Sequence, residues 1–220
     1  MGWFRAVMFE DPEFRADDSS LGSDLIESLN GRKVVWLRAV ESWHHPDSRC
    51  WPPKERFAAL PDDVVQGQLA DCFLASALSL LTTFPGLVDA LVDRSQAVDG
   101  KYSVCVWERG QRRLVVVDDR IPCCAESRRP LFAHCKDLGE CWVQIVEKAM
   151  AKRKGSYSCL MGGHMGECLH DLTGSPAPPH ASPATSLQPR LHTSSWCRAA
   201  PPSAPSMRTP SILNNKPPNL

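Results

Sequence analysis

The segment "DCFLASALSLLTTF" is rich in Ala and Leu, contains no Gly or Pro, and stops at Phe84 before Pro85. That pattern predicts a buried helix starting at or near Cys72. After Pro85, "GLVDALVD" reads as a second, short helix. The period then changes. "KYSVCVWE" alternates, "RGQ" offers a turn, and "RRLVVVDDRIP" is β-branched, so residues 101 to 122 read as a hairpin. Further on, Trp142, Ile145, Val146 and Met150 fall at helical spacing, Lys and Arg fill the last turns, and Gly155 supplies a stop. A helix over 138–153 follows. "KVVWLRAV" is apolar throughout, and periodicity leaves a strand and a short buried segment equally open. The rest of residues 1 to 60 is rich in turn formers and prolines, as in "DPEFRADDSSLGSDL" and "WHHPDSRCWPP". Helices mixed with antiparallel strands give an α+β pattern.

Composition breaks at Gly174. Eleven of the nineteen prolines lie beyond it, in a background of Ser, Ala and Thr with few large apolar residues. Residues 1–174 are therefore expected to form the folded body and residues 175–220 a disordered tail. The 25 basic and 25 acidic side chains balance, so no whole-chain field points to nucleic acid or an anionic membrane. The four basic residues of the tail, Arg190, Arg198, Arg208 and Lys216, have no acidic counterpart there, which leaves the body mildly acidic. Ten cysteines would suit a small secreted scaffold, but the start "MGWFRAVMFEDPEF" meets charges too early for a signal sequence. Mostly reduced thiols and a cytoplasmic location are expected. No window is apolar for the length a transmembrane helix needs.

The candidate chemistry begins at Cys72. A helix starting there presents free N–H groups and a partial positive charge, which favour an anionic sulfur. Such a thiolate can attack a carbonyl if a base handles the proton and donors receive the oxyanion. Gln66, six residues upstream, is a suitable side-chain donor, and the backbone N–H of Cys72 a second. The alternative is structural, because cysteine is among the most buried residue types. Asp118 and Asp119 are expected to close their strand and pair with Arg120. Cys123, Cys124, His134 and Cys135 lack the spacing of a zinc knuckle, as do His44 and His45 with Cys50. No EF-hand loop occurs.

"QGQLADCFLASALSLL" resembles the active-site segment of calpains, the papain-like, calcium-dependent cysteine proteases, whose pattern is Gln-Gly-x-Leu-Gly-Asp/Asn-Cys-Trp-Phe/Leu-x-x-Ala. "MFEDPEFRADDSSL", "RRLVVVDDRIP" and "ECWVQIVEKAMAKRKGSYSCLMGGHMGECLHDLTG" are similar to three further motifs of that family, in the same order. Together they span residues 8 to 174. The resemblance implies a papain-like α+β fold represented by its first, mainly helical subdomain. It implies Cys72 as nucleophile, Gln66 as oxyanion donor, and protein substrates. It also implies calcium held by Asp63 and Glu140 with carbonyls of the loop between Arg56 and Ala59. Read without it, Asp63 is a turn former after Pro61 and Glu140 an acid in a helix's first turn. Two positions depart from the pattern: Ala70 replaces Gly, which would strain a residue at positive φ, and Phe73 replaces Trp.

The family's histidine and asparagine, in motifs resembling "GHAY" and "NPWG", are expected about 130 to 150 residues beyond the cysteine. Neither motif occurs. His192 and Asn214 lie at that separation but in no strand-like context, and His164 and His170 fall in the first half. The abrupt change after Gly174 suggests a truncated or mis-spliced product. Two functions follow. One is a calcium-dependent cysteine endopeptidase whose missing half would have to come from elsewhere. The other is a catalytically inactive module that binds another calpain half or a regulatory protein and offers polyproline segments such as "AAPPSAP" to adaptor domains.

Overall fold

One helix, buried over all but its last turn, organises the architecture. In the computed structural model, which describes residues 8–38, 41, 59–84, 86–137 and 139–175, every residue from Trp142 to Ala151 of the helix Trp142–Lys154 is buried. A helix apolar on one stripe would need cover on that stripe only; this one also carries Gln144, Glu147 and Lys148 inward, so each needs a partner inside.

In chain order the elements are α1 (Asp18–Leu21), α2 (Ser23–Ser28), β1 (Val34–Arg38), a 3-10 turn (Pro61–Asp63), β2 (Val64–Val65), α3 (Cys72–Thr82), α4 (Leu87–Leu91) and β3 (Val92–Asp93). Then follow β4 (Lys101–Glu108), β5 (Gln111–Asp118), β6 (Arg120–Cys124), β7 (His134–Cys135), α5 (Trp142–Lys154) and α6 (Met165–Thr173). Helix and strand are thus mixed. The strands form three antiparallel sets: β3-β4-β5, β1 with β6, and β2 with β7. The β4–β5 hairpin closes with Glu108 opposite Gln111, and Arg109 and Gly110 take the positive φ values that a tight two-residue turn demands.

Several expectations are met closely. Helix α3 starts at Cys72, α4 follows Pro85, and Gly155 ends α5, its N–H reaching the Ala151 carbonyl at 2.8 Å. "KVVWLRAV" resolves as strand β1. Three differences have local causes. Helix α5 begins at Trp142 rather than 138, so Glu140 precedes the helix instead of lying in its first turn; Asp137 forms a turn there, accepting from the Glu140 and Gly139 N–H groups. The segment after Gly163 contains α6, whose buried Cys168 and Leu172 are one helical turn apart and whose end is a left-handed Gly174. Helices α1 and α2 occupy part of a region expected to be loops, the first capped by the Asp17 side chain on Ser19 N–H. The expected loop 43–53, His44, His45, Cys50, the carbonyls of 56–58, His192, Asn214 and the tail beyond Ser175 lie outside the described residues.

The two sheets that matter for the site are the smallest. Pairing of Val64 with Cys135 and Val65 with His134 ties the segment before Gln66 to the approach of α5. The end of β5 brings Asp118 to α5, and β6, which continues past Asp119 and pairs with β1, brings Arg120.

Candidate active site

Cys72 is the first residue of α3 and is exposed, with no hydrogen-bond partner for its sulfur among the described residues. Its helix starts with an unusual cap. Asp71 occupies the N-cap position and its carbonyl accepts from Leu74 N–H (2.8 Å) and Ala75 N–H (3.2 Å), yet its carboxylate caps nothing. An N-cap aspartate ordinarily accepts from the first turn. The Cys72 and Phe73 N–H groups of the first turn are left without that acceptor.

The approach loop is strapped down on both sides. Gln66 is exposed, and its side-chain amide donates to the Leu69 carbonyl at 3.1 Å, which keeps one of its two N–H donors occupied and leaves the other. Gly67 lies so close to the 131–132 segment that a Cβ would come within 2.2 Å of the Phe132 carbonyl group, and Gln68 N–H donates to the Leu131 carbonyl at 2.8 Å. Only glycine fits there. On the other side the Ala70 carbonyl accepts from Gly162 N–H at 2.9 Å, and the Phe73 ring lies where a Cβ on Gly163 would be, 2.8 Å away. Ala70 is not among the residues of positive φ, so the strain expected of an alanine at that position is absent.

Asp63 and Glu140 are brought into electrostatic contact. Asp63 is half-buried; its carboxylate accepts from Leu60 N–H at 2.6 Å and its carbonyl from Lys136 N–H at 2.7 Å. Burial, then the charge of Asp63, then that of Asp137 push the Glu140 carboxyl up to about 7. Lys136 does not relieve this, because its ammonium is engaged by Asp62 at 2.9 Å. The result is a like-charge pair of carboxyls, a donor type that suits a hard cation. Among the described residues no group of three or more His, Cys, Asp or Glu side chains is arranged to hold a metal, so carbonyl or water oxygens would have to complete the shell.

The remaining candidates have other occupations. Asp118 accepts from Arg120 through its N–H (3.0 Å), Nε (3.0 Å) and Nη2 (2.7 Å), and from Lys148 Nζ (2.5 Å). Asp119 is paired with Arg38. His134 Nδ1 meets the Phe132 carbonyl at 2.9 Å, and Cys135 is buried against Gln144. No histidine hydrogen-bonds the Cys72 sulfur among the described residues. Seven described cysteines are free thiols, and Cys141 is disulfide-bonded. No described helix is long and apolar enough to cross a membrane.

One part of the site has no counterpart in the reading of the sequence: Glu147 of α5, 1% exposed, interacts with the Asp71 carboxyl directly behind Cys72. Seventy-six positions separate the two acids, and no spacing rule connects them.

Comparison with known proteins places this geometry. The calpain family cysteine protease model matches residues 9–196. The chain is similar to the calpain-type cysteine protease DEK1 of Arabidopsis thaliana, 38% identical over 170 residues, 76% of this chain and 8% of that protein. It is similar to calpain-12 of Homo sapiens, 33% identical over 174 residues, 76% of this chain and 23% of that one. Calpain clp-1 of Caenorhabditis elegans is 36% identical over 171 residues, 76% of this chain and 20% of its own length. The chain thus spans less than a quarter of each of these relatives.

Proposed function

The chain belongs to the calpain family of cysteine proteases, and from that premise we propose that it carries the nucleophile half of a calcium-dependent cysteine endopeptidase site acting on proteins. The observation that carries the reading is the exposed thiol of Cys72 on the first residue of α3, with unsatisfied backbone N–H groups behind it. In the proposed reaction the Cys72 sulfur attacks a peptide carbonyl and forms a thioester as the amine leaves; water then hydrolyses the thioester. The free N–H of Gln66 and the backbone N–H of Cys72 would receive the oxyanion. The proton of the thiol must pass to a base and on to the leaving amine, and that base belongs to a second half supplied by a partner chain or by a longer form of the protein.

Asp63 and Glu140 are the side chains that would hold calcium, a role supported by the like-charge interaction that raises the Glu140 carboxyl. Bound there, the ion would supply fixed positive charge between the approach loop and the start of α5. A cytoplasmic location stays within the proposal, supported by the seven free thiols.

The test is alkylation and turnover in one preparation. The full chain is treated with iodoacetamide and each cysteine is followed by mass spectrometry; Cys72 should react well ahead of the buried thiols Cys123, Cys135 and Cys168. Casein with calcium should be cleaved slowly or not at all by the chain alone. Cleavage should appear when a calpain second half carrying histidine and asparagine is added, and vanish in Cys72→Ala. Efficient cleavage by the Cys72→Ala chain, or a Cys72 as inert as Cys135, would end the proposal.

The second reading, an inactive interaction module, is favoured by one observation: no histidine bonds the Cys72 sulfur among the described residues. It predicts that adding the second half yields a complex without turnover.

A further inference from the structure

Two carboxyl groups meet in the interior directly behind Cys72. Asp71 is 0% exposed and Glu147 1% exposed. Apart from a weak approach of its own backbone N–H, neither oxygen of Asp71 has a hydrogen-bond donor, although the position is one at which aspartate normally caps its helix. What its side chain meets is the carboxyl of Glu147. Glu147 in turn accepts from Ala133 N–H at 2.9 Å through one oxygen. Neither group takes part in a salt bridge among the described residues.

Two buried carboxylates in contact with no cation would be mutually repulsive and unsolvated. One proton between them removes both costs, since the protonated acid donates and the other accepts. The apparent lack of a partner for Asp71 arises only if both acids are counted as ionised. We propose that Asp71 and Glu147 share a single proton, and that this acid pair is a positioning device that holds the start of α3, and with it the Cys72 thiol, against α5.

The neighbourhood supports a proton held between the two acids. Burial first and the Asp71 charge second push the Glu147 carboxyl well above its usual range, and their hydrogen bond acts in the same direction. On Asp71, too, burial is the largest influence and raises the carboxyl. The other titratable groups facing the pair are neutral ones: the Tyr157 hydroxyl, buried and without a partner, and the Cys168 thiol of α6. Asp118 and Cys123 act on Tyr157 and not on the pair. Lys148, the nearest cation along α5, is directed to Asp118. The proposal rests on the reading of Cys72 as the reactive thiol in its second half only; the shared proton stands apart from catalysis.

The sign of the pH dependence follows. Groups whose carboxyls are raised on folding stabilise the fold below their unfolded values, 3.8 for Asp71 and 4.5 for Glu147, and lose that contribution as pH rises through the folded values. The full chain is compared with Glu147→Gln, which keeps a donor to Asp71 without a titrating proton, and with Glu147→Leu, which leaves Asp71 alone. Three readouts are taken: the infrared band of a protonated carboxyl at neutral pH, the thermal midpoint from pH 5 to 9, and the Cys72 alkylation rate. The wild type should show the band and a midpoint that falls with rising pH. Glu147→Gln should lose the band, flatten the profile and keep Cys72 alkylation within about twofold. Glu147→Leu should lower the midpoint and slow Cys72 by about tenfold or more, as misplacement of a reacting group does.

No band in the wild type, or Glu147→Gln falling as far as Glu147→Leu at every pH, would overturn the shared proton. A Glu147→Leu chain that is less stable but alkylates normally at Cys72 would overturn the positioning role. If Glu147→Leu does not fold, Asp71→Asn takes its place in the alkylation comparison, the amide presenting a different group to the same neighbour. If wild-type Cys72 is itself inert, the proposed function fails while the band still decides the acid pair.

Discussion

Glu147 and Lys148 are adjacent residues of the same buried helix, and the protein keeps them in opposite ways. Lys148, 0% exposed, is neutralised by charge: Asp118 at 2.5 Å, the Arg120 carbonyl at 2.6 Å, and the Trp36 ring 5.5 Å below. Burial alone would raise the Asp118 carboxyl, but Lys148 and Arg120 overcome it and hold it below the usual carboxylate range. Glu147 meets another acid instead, and is raised. The first arrangement fixes strand β6 to α5 and needs both groups ionised; the second fixes α3 to α5 and needs one group neutral. Acid therefore threatens the first and base the second. Asp118 gives stability above its unfolded value of 3.8 that is lost as pH falls through its lower folded value, whereas the contribution of Glu147 is lost as pH rises.

The largest effect should come from breaking the ionic side. Lys148→Met leaves Asp118 buried with only Arg120 and the Asp11 N–H at 2.8 Å, and removal of one partner of a buried pair costs about 3–5 kcal/mol. Because those two donors remain, urea unfolding should give a loss near about 3 kcal/mol at neutral pH. The same substitution should leave the Cys72 alkylation rate nearly unchanged, since Lys148 faces away from the acid pair. A loss of stability below about 1 kcal/mol would mean that Arg120 alone balances Asp118, and that the contrast between the two sides of α5 is overstated.

A smaller effect should follow on the acid side from a residue that carries no charge. Gly67→Ala puts a methyl group within 2.2 Å of the Phe132 carbonyl, so the 131–133 segment must shift. That segment supplies the Ala133 N–H to Glu147 and the Leu131 carbonyl to Gln68. Overpacking of this kind costs about 1–3 kcal/mol. Here it should also slow Cys72 alkylation, because Gln66, Gln68 and Asp71 share the disturbed loop. A Gly67→Ala chain with unchanged stability and unchanged thiol reactivity would show that the loop and the acid pair are uncoupled.

How much of this was legible in the sequence depends on distance along the chain. The β4–β5 hairpin and helices α3 and α5 declared themselves because alternation, Arg109-Gly110 and the spacing from Trp142 to Met150 are local signals. The exposed thiol at the head of α3 was legible for the same reason. Helix α6 is only nine residues long and begins two residues after Gly163, so no extended periodic pattern announces it. The β1–β6 pairing joins Val34 to Cys124, and nothing in either stretch names the other. Asp71 was visible only as the residue before a cysteine. Its meaning depends on Glu147, and a contact between two acids in distant segments leaves no periodic trace. Asp63 and Glu140 were picked out by family resemblance alone, for the same reason.

That second pair of acids extends the comparison and gives the smallest predicted effect. Asp63 and Glu140 are a like-charge pair near the surface, where water screens what it cannot screen between Asp71 and Glu147. Glu140 rises to about 7 in the fold from a model-compound value of 4.5, so its contribution to stability is full below pH 4.5 and is lost as pH climbs to about 7. In EDTA the thermal midpoint of Asp63→Asn should therefore fall less between pH 5 and 7.5 than that of the wild type. Asp137→Asn should act in the same direction and more weakly, Asp63 being the stronger of the two charges on Glu140. With calcium present the order should reverse. A cation at Asp63 and Glu140 favours the ionised acid, so the wild type should gain stability as pH rises while Asp63→Asn gains little. Equal midpoints with calcium and with EDTA at pH 7.5 would remove calcium from these two residues. The pair would then be a second place where the protein tolerates a raised acid, held at the surface by water instead of in the core by a shared proton.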